Sequence, residues 1–215
     1  MRWFNSHKKL PDFYKAYLNA FKEKPQSINA VRFVIFDTET TGLNLKEDRI
    51  LSIGTVAIKN FQINISDSLE CYIKQNTFNP KTVEVHGLLK EGSFSKISEK
   101  ESIKLFIEHI GNSVLVAHHA AFDIAMINEA LKRLELPKLK NKVIDTGILY
   151  KKTKYINDNK PKSLDELCQL FNITMHDRHT ASGDAYLTAL LFLKLSSKLK
   201  QKYKHLSLRL FRSWF

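Results

Sequence analysis

An apolar segment that runs directly into two acidic residues constrains the fold of this chain more than any other feature. Residues 31–36 read VRFVIF, a short run of β-branched and aromatic side chains that predicts a buried strand. Asp37 and Glu39 come directly after it. In extended chain, residues two apart point to the same face, so both carboxylates are expected to face one point at the end of the strand.

Two carboxylates held together in this way repel each other. One of them must take up a proton unless a cation joins the pair. Because hard oxygen ligands suit Mg²⁺ or Mn²⁺, the pair is a candidate metal site. A solvated acidic pair in a turn is the structural alternative that this pattern leaves open.

Hydrophobic periodicity predicts the other elements of secondary structure. Further strands are expected at 50–58, 68–74, 114–117 and 142–145. Helices are expected at about 10–21, 102–110, 120–134, from Ser163 onward, and 181–199. Ser163, followed three residues later by Glu166, has the capping-box pattern of a helix start. Consecutive strands followed by strands that alternate with helices predict an α/β domain, with one mixed five-stranded sheet flanked by helices.

The predicted elements divide the chain into three regions. Residues 1–30 are expected to form an N-terminal extension whose helix ends at Pro25. Residues 31–200 form the main domain, and residues 201–215 form a basic and aromatic tail.

The charge balance favours a polyanionic partner. The chain holds 34 Lys and Arg against 22 Asp and Glu, which suits nucleic acid and equally suits a generally basic surface. The longest apolar run, 185–195, is too short and too polar to cross a bilayer, so no membrane partner is expected. The polar N-terminus, together with Cys71 and Cys168 as separate reduced thiols, predicts a cytoplasmic protein.

Two later segments add further candidates for the acidic site. Asp123 follows the fourth predicted strand, in the first turn of the next helix, and Asp184 occupies the same position in the last helix. His179 precedes Asp184 by five residues. Each acid alone could simply complement a helix dipole.

As a set, these motifs resemble the DEDD exonuclease superfamily, in the histidine branch that includes the epsilon-type proofreading subunits of bacterial DNA polymerase III. The motifs that carry the resemblance are DTETTGL at 37–43, HHAAFD at 118–123 and His179 with Asp184, supported by VHGLL at 85–89, IDT at 144–146 and SLDEL at 163–167. The tyrosine branch has Tyr four residues before the last Asp, where this chain has Thr180. One departure is His119, where the family usually has Asn.

The resemblance implies a ribonuclease-H-like fold and a metal-dependent 3′–5′ exonuclease that releases nucleoside 5′-monophosphates. It implies two Mg²⁺ or Mn²⁺ ions held by Asp37, Glu39, Asp123 and Asp184. His179 would be the general base. Residues expected by similarity to contact the terminal nucleotide are Thr38, Thr40, Leu43, His86 and Phe122. Ordinary core packing is the alternative for Leu43 and Phe122.

The end of the chain carries a second resemblance. HLSLRLF at 205–211 is similar to the peptide by which bacterial DNA enzymes bind the sliding clamp, with Leu206, Leu208, Leu210 and Phe211 as the binding residues. His205 replaces the usual Gln. The alternative, which the sequence favours, is a terminal segment packed on the domain.

The expected substrate is DNA with a free 3′ end, in proofreading or repair, beside a polymerase or clamp partner. An RNA exonuclease is the first alternative, because the superfamily uses the same chemistry on RNA. A non-catalytic nucleic-acid-binding module is the second, since fold alone does not establish activity.

Overall fold

A computed structural model describes residues 10–23, 25, 27–76, 87, 94–155 and 160–211. Its strands are β1 (Arg32–Thr40), β2 (Ile50–Lys59), β3 (Gln62–Ile73), β4 (Lys96–Ile97), β5 (Val114–Ala117) and β6 (Val143–Asp145). Its α-helices are α1 (Asp12–Ala20), α2 (Glu99–Ile110), α3 (Ala121–Arg133), α4 (Thr146–Thr153), α5 (Leu164–Leu170) and α6 (Ala181–Tyr203), with a short 3₁₀ turn at Ile28–Ala30.

The strands form one mixed sheet in the order β4-β3-β2-β1-β5-β6. β1, β2 and β3 are antiparallel, whereas β5 runs parallel to β1 and β6 runs parallel to β5. The expected α/β fold with a mixed, helix-flanked sheet is therefore confirmed, with six strands in the described residues instead of five. The sixth strand, β4, has two residues, too few to show the alternation that predicts a strand.

Several predicted boundaries were wrong. β1 does not end at Phe36 but continues to Thr40, because the start of β2 pairs with it as far as Thr40 and Ile50. Asp37 and Glu39 therefore lie within the strand. α1 ends at Ala20, where Phe21 caps it, so Pro25 does not terminate the helix.

Other differences concern lengths of helices. α4 was not predicted, because it follows β6 without a connecting loop and has only eight residues. α6 continues to Tyr203, so residues 201–203 belong to this helix. The predicted capping box at Ser163 and Glu166 is confirmed at the start of α5.

Alternation along β1 assigns its side chains to two different cores. Phe33 and Ile35 pack on one face of the sheet with α4, α5 and α6. Val34 and Phe36 pack on the other face with α1, α2 and α3. By the same alternation, Asp37 and Glu39 are on the α6 face, whereas Thr38 is on the α3 face.

The N-terminal helix is attached to the domain through two buried tyrosines. Tyr14 Oη donates a hydrogen bond to the carbonyl of Pro137 at 2.8 Å. Tyr17 Oη donates to Asn141 Oδ1 at 2.7 Å and accepts from the backbone N–H of Lys140 at 2.7 Å. α1 thus holds the segment that leads into β6.

The C-terminal segment is packed on the α6 face. Phe211 is 1% exposed and lies against the rings of Phe33 and Phe192. The segment folds into a turn, with the Leu210 N–H bonded to the Ser207 carbonyl at 3.0 Å. For Phe211 to bind a sliding clamp, it would have to leave this core, so the structure favours the packing alternative.

Cys71 and Cys168 are both buried and form no disulfide. Within the described ranges, no helix combines the length and the apolar character that crossing a bilayer requires.

One glycine allows the start of α6 to rest directly on the sheet. A Cβ at Gly54 would lie 2.2 Å from the backbone of Ala181 and Ser182, which is too close for any side chain to fit there. Gly54 pairs with Asp37 in the β1–β2 ladder. The absence of a side chain at Gly54 therefore sets how near the first turn of α6 comes to Asp37.

We expect Gly54→Ala to lower the free energy of unfolding by about 1–3 kcal/mol, because the added methyl must displace the backbone of α6. Urea denaturation followed by circular dichroism measures this. An unchanged unfolding midpoint would contradict the close contact between β2 and α6.

Candidate active site

Three carboxylates converge where β1 ends and α6 begins. Oxygen atoms of Asp37, Glu39 and Asp184 all lie within 4.8 Å of one another. β1 supplies the first two, and the first turn of α6 supplies the third. Among the described residues, this is the group of acidic, His and Cys side chains whose spacing suits a metal ion.

The first turn of α6 is fixed by its cap. Thr180 Oγ1 accepts a hydrogen bond from the Gly183 N–H at 3.1 Å and donates one to the Asp177 carbonyl at 2.7 Å. A Cβ at Gly183 would lie 2.0 Å from that same carbonyl oxygen, so only glycine fits. Asp184 thereby faces the cluster from the helix N-terminus, where the helix dipole stabilises its negative charge.

The fourth predicted carboxylate, Asp123, approaches from the other side of β1. Its Oδ1 accepts hydrogen bonds from Thr38 Oγ1 at 2.7 Å and from the Thr38 N–H at 3.1 Å. It lies outside the group that converges within 4.8 Å, yet its charge raises the pKa of Asp37 and Glu39. Thr38, predicted to contact substrate, is 8% exposed, and its hydroxyl holds Asp123.

Burial and mutual repulsion keep protons on this cluster. Burial, then the charges of Asp123, Asp184 and Glu39, raise the pKa of Asp37 well above its usual value. Burial, then Asp184 and Asp123, raise the pKa of Glu39 to about 8. Burial also raises the pKa of Asp123 to about 7, although hydrogen bonds from Thr38 oppose the shift. Without a cation, part of the cluster is therefore protonated at neutral pH.

Arg178 is the one cation in direct contact with this cluster among the described residues. Its guanidinium forms ion pairs with Asp184 and with Asp165, the latter through Nε at 2.5 Å from Oδ1. Its charge lowers the pKa of Asp37 and Glu39, in opposition to the larger effects of burial. No sequence pattern identified this role, because an arginine next to His179 has no distinguishing spacing of its own.

His179 lies in the turn before α6, with its side chain exposed and its backbone in the left-handed region at a φ of 61°. Its position between Arg178 and the Thr180 cap keeps it next to the start of the helix that carries Asp184. An exposed imidazole in such a turn is accessible to solvent and to a substrate.

The neighbouring histidines have different environments. His118 bridges two segments: its Nδ1 accepts from Thr146 Oγ1 at 2.8 Å, and its Nε2 donates to the Lys162 carbonyl at 3.0 Å. Burial, with the charge of His119, lowers the pKa of His118 to about 4, so the ring is neutral and structural. His119 is exposed, with a φ of 57°, a conformation that Asn, Asp and His adopt more readily than most residues.

The IDT segment has a structural explanation. Asp145 Oδ1 caps α4 by accepting from the N–H groups of Gly147 and Ile148, at 2.8 and 3.1 Å. Its Oδ2 accepts from the Ala120 N–H at 2.8 Å, which joins α4 to the turn before α3. Asp145 thus supports the segment that carries His119 and leads to Asp123.

The other residues predicted to contact the substrate differ in their exposure to solvent. Leu43 is 82% exposed, which excludes core packing for it, whereas Phe122 is half-buried against the α3 core. Thr40 Oγ1 donates to the Gly42 carbonyl at 2.8 Å and shapes the turn that projects Leu43. His86 lies outside the described residues.

Comparison with known proteins gives related sequences and folds. Residues 34–192 match the family model RNase T, described as an exonuclease. The chain is 33% identical over 176 residues to the PolC-type DNA polymerase III of Bacillus subtilis, a match that covers 79% of this chain and 12% of that protein. It spans 12 to 13% of the length of the curated relatives that it matches.

Solved structures share the fold at low sequence identity. E. coli exonuclease I in complex with a dT13 oligonucleotide matches 81% of this chain and 43% of its own, with a TM-score of 0.68 at 15% identity. S. pombe Pop2p in its Mg²⁺- and Mn²⁺-bound form matches 92% of each chain, with a TM-score of 0.65 at 16% identity.

The raised pKa of Glu39 makes the stability of the metal-free protein depend on pH. The folded state keeps this proton up to a pKa of about 8, whereas the unfolded state loses it near 4.5. The stabilising effect of the protonated group is therefore complete below 4.5 and is lost as pH rises through about 8.

We expect the free energy of unfolding of the unmodified protein to fall, relative to that of Glu39→Gln, as pH rises from about 5 to about 8 in EDTA. The Gln variant is the matched control, because it resembles the protonated acid and does not titrate. Urea unfolding at several pH values measures both. A difference that stays constant with pH would rule out the raised pKa.

Proposed function

Since the chain belongs to the exonuclease family, whose model matches residues 34–192, we propose that it is a metal-dependent 3′–5′ exonuclease. It hydrolyses phosphodiester bonds of DNA and releases nucleoside 5′-monophosphates, in proofreading or repair. The observation that carries this proposal is the convergence of Asp37, Glu39 and Asp184, with Asp123 bonded to the same strand.

The residues present fit a pair of divalent cations. The donors are all carboxylates, the hard ligands that Mg²⁺ and Mn²⁺ prefer, and their raised pKa values show a cluster short of positive charge. Asp37, Glu39, Asp123 and Asp184 would hold the ions. Bound there, two such ions would polarise the phosphate and activate a water for in-line displacement.

His179 is the proposed general base. Its exposed imidazole lies five residues before Asp184, in the turn that leads into α6. A neutral imidazole can accept the proton of the attacking water near pH 7. The left-handed backbone at His179 and the cap at Thr180 fix where the ring leaves the chain.

The 3′-terminal nucleotide would lie beside the turn that follows β1. Leu43 projects from this turn into solvent, and Phe122 offers part of its ring at the start of α3. Thr40 shapes the turn, His86 is a further contact by similarity, and His119 replaces the Asn of the family as a hydrogen-bond donor. These residues would orient the sugar and base while the carboxylates hold the reacting phosphate.

DNA is proposed as the substrate because the relative at 33% identity named above is a DNA polymerase. A polymerase that produces a mismatched 3′ end is the corresponding partner. The carboxylates and the histidine would act on RNA by the same chemistry, so the experiment must compare both strands.

We expect a 5′-labelled single-stranded DNA oligonucleotide to give a ladder that shortens from its 3′ end, with Mg²⁺ or Mn²⁺ and not with EDTA. Removing the carboxylate in Asp184→Asn should lower the rate at least about a hundredfold, and His179→Ala should lower it by about 10²–10⁴. Denaturing gels with time points measure these rates.

The matched control is Asp12→Asn, which removes an exposed carboxylate in the first turn of α1, outside the carboxylate group. It should retain most of the activity. Faster degradation of an RNA strand of the same sequence would replace DNA by RNA as the substrate. A protein that degrades neither strand with either metal would refute the proposed function.

A further inference from the structure

A second charged surface lies at the far end of α6 from the acidic cluster. From Ala185 to Phe211 the sequence has no Asp or Glu and holds six basic residues, Lys194, Lys198, Lys200, Lys202, Lys204 and Arg209. The end of α4 and the residues after it add Lys151, Lys152 and Lys154, again without an acid between 146 and 155.

Direct contacts bring these two segments together. Lys202 Nζ, from α6, donates to the carbonyls of Lys152 and Thr153 at the end of α4, at 3.2 and 3.4 Å. Lys198 Nζ lies 4.5 Å from the centre of the Tyr155 ring, which stacks on Phe171. The lysine surface is defined here as Lys151, Lys154, Lys198 and Lys202, and Tyr155 positions Lys198 within it.

Helix capping explains only part of this surface. Lys202 bonds to the carbonyls at the end of α4, where cations stabilise a helix. Lys151 and Lys154 are exposed and are not needed for that role. In the described part of the chain, no Asp or Glu forms an ion pair with Lys151, Lys154 or Lys198. The surface therefore presents positive charge without a counterion from the described residues.

The lysine surface lies on the same side of α6 as the acidic cluster. Asp184 and Lys202 are 18 residues apart, five helical turns, so they share one side of the helix at a separation of about 27 Å. Leu191 and Leu195 lie between them on that side and are fully buried, so a strand that joined the two sites would pass over α4 and not along α6. α4 covers part of this interval. It begins beside His119, since a Cβ at Gly147 would be 3.9 Å from His119 Cε1. Lys151 follows Gly147 by four residues on the same helix face.

We propose that the lysine surface binds the phosphate backbone of the strand whose 3′ end is in the active site, several nucleotides upstream of the cleaved bond. This rests on the proposed function, because it assigns the direction of the strand. A separation of about 27 Å corresponds to about eight nucleotides at 3.4 Å per step, and fewer for a more extended strand. Lysine ammonium groups contact phosphates without reading the base sequence. The surface should therefore increase the affinity for longer strands, whatever their sequence.

A comparison of long and short strands distinguishes binding at the lysine surface from binding at the active site. The test variant is Lys151→Gln, Lys154→Gln and Lys198→Gln together, which leaves Lys202 and the catalytic residues unchanged. The matched control is Lys22→Gln, Lys100→Gln and Lys138→Gln, the same loss of charge at three exposed lysines elsewhere. Thermal unfolding of both variants checks that each folds.

Binding is measured in EDTA by fluorescence anisotropy, with labelled single strands of 16 and 4 nucleotides at several salt concentrations. We expect the test variant to bind the 16-mer about tenfold or more weakly. Because three phosphate contacts are lost, the magnitude of the slope of log K against log salt should decrease by about 2. Its affinity for the 4-mer should not change, and the control should match the unmodified protein.

The results distinguish the two proposals. An unchanged 16-mer affinity and slope, or an equal loss for both lengths, would overturn the lysine surface. Degradation of neither strand, together with the expected length-dependent binding, would refute the exonuclease proposal and leave this surface as a nucleic-acid site. In the active protein, the test variant should raise the KM for the 16-mer with kcat unchanged.

Discussion

Repulsion among buried and half-buried carboxylates is the constraint around which this end of the molecule is organised. Asp37 and Glu39 share the α6 face of a central strand, and Asp184 joins them from a helix start. Burial raises the cost of each negative charge, and each neighbour raises it further, which is why the pKa values of Asp37 and Glu39 rise. Such a cluster lowers stability unless protons or cations neutralise it, and a structural role does not require it.

The surrounding residues hold the acids together against that repulsion. The Gly54 backbone lets α6 rest on β2, and Thr180 caps the helix. Thr38 binds Asp123 through both its N–H and its hydroxyl. Arg178 links Asp184 to Asp165 at the start of α5, so one guanidinium offsets part of the negative charge of the cluster and fixes the position of Asp184. We interpret this framework as preorganisation for cations that carry more charge than Arg178 supplies.

The sequence predicted the parts of this arrangement that depend on local pattern. The apolar run before Asp37, the two-residue spacing to Glu39 and the capping box at Ser163 have periodic or fixed-offset patterns, and the structure has each of them. The prediction that Asp184 lies close to Asp37 came from the family resemblance, because the two residues belong to segments that are far apart in the sequence.

The unpredicted parts depend on contacts that no local pattern records. Gly54 matters because of the backbone of α6, more than 100 residues later, and Arg178 matters because of two acids on different helices. β4 and α4 are too short for periodicity to show. The strand extends beyond Phe36 because β2 pairs with it, which an isolated reading of residues 31–36 does not include.

We infer that the carboxylate cluster keeps its protons until divalent cations replace them. Isothermal titration of Mn²⁺ at pH 7, in two buffers with different ionisation enthalpies, measures the protons released on binding. We expect a release of about one or more protons for each saturated site, and a smaller release at pH 9, where Glu39 has already ionised. Binding without proton release at pH 7, or no binding of Mn²⁺, would contradict it.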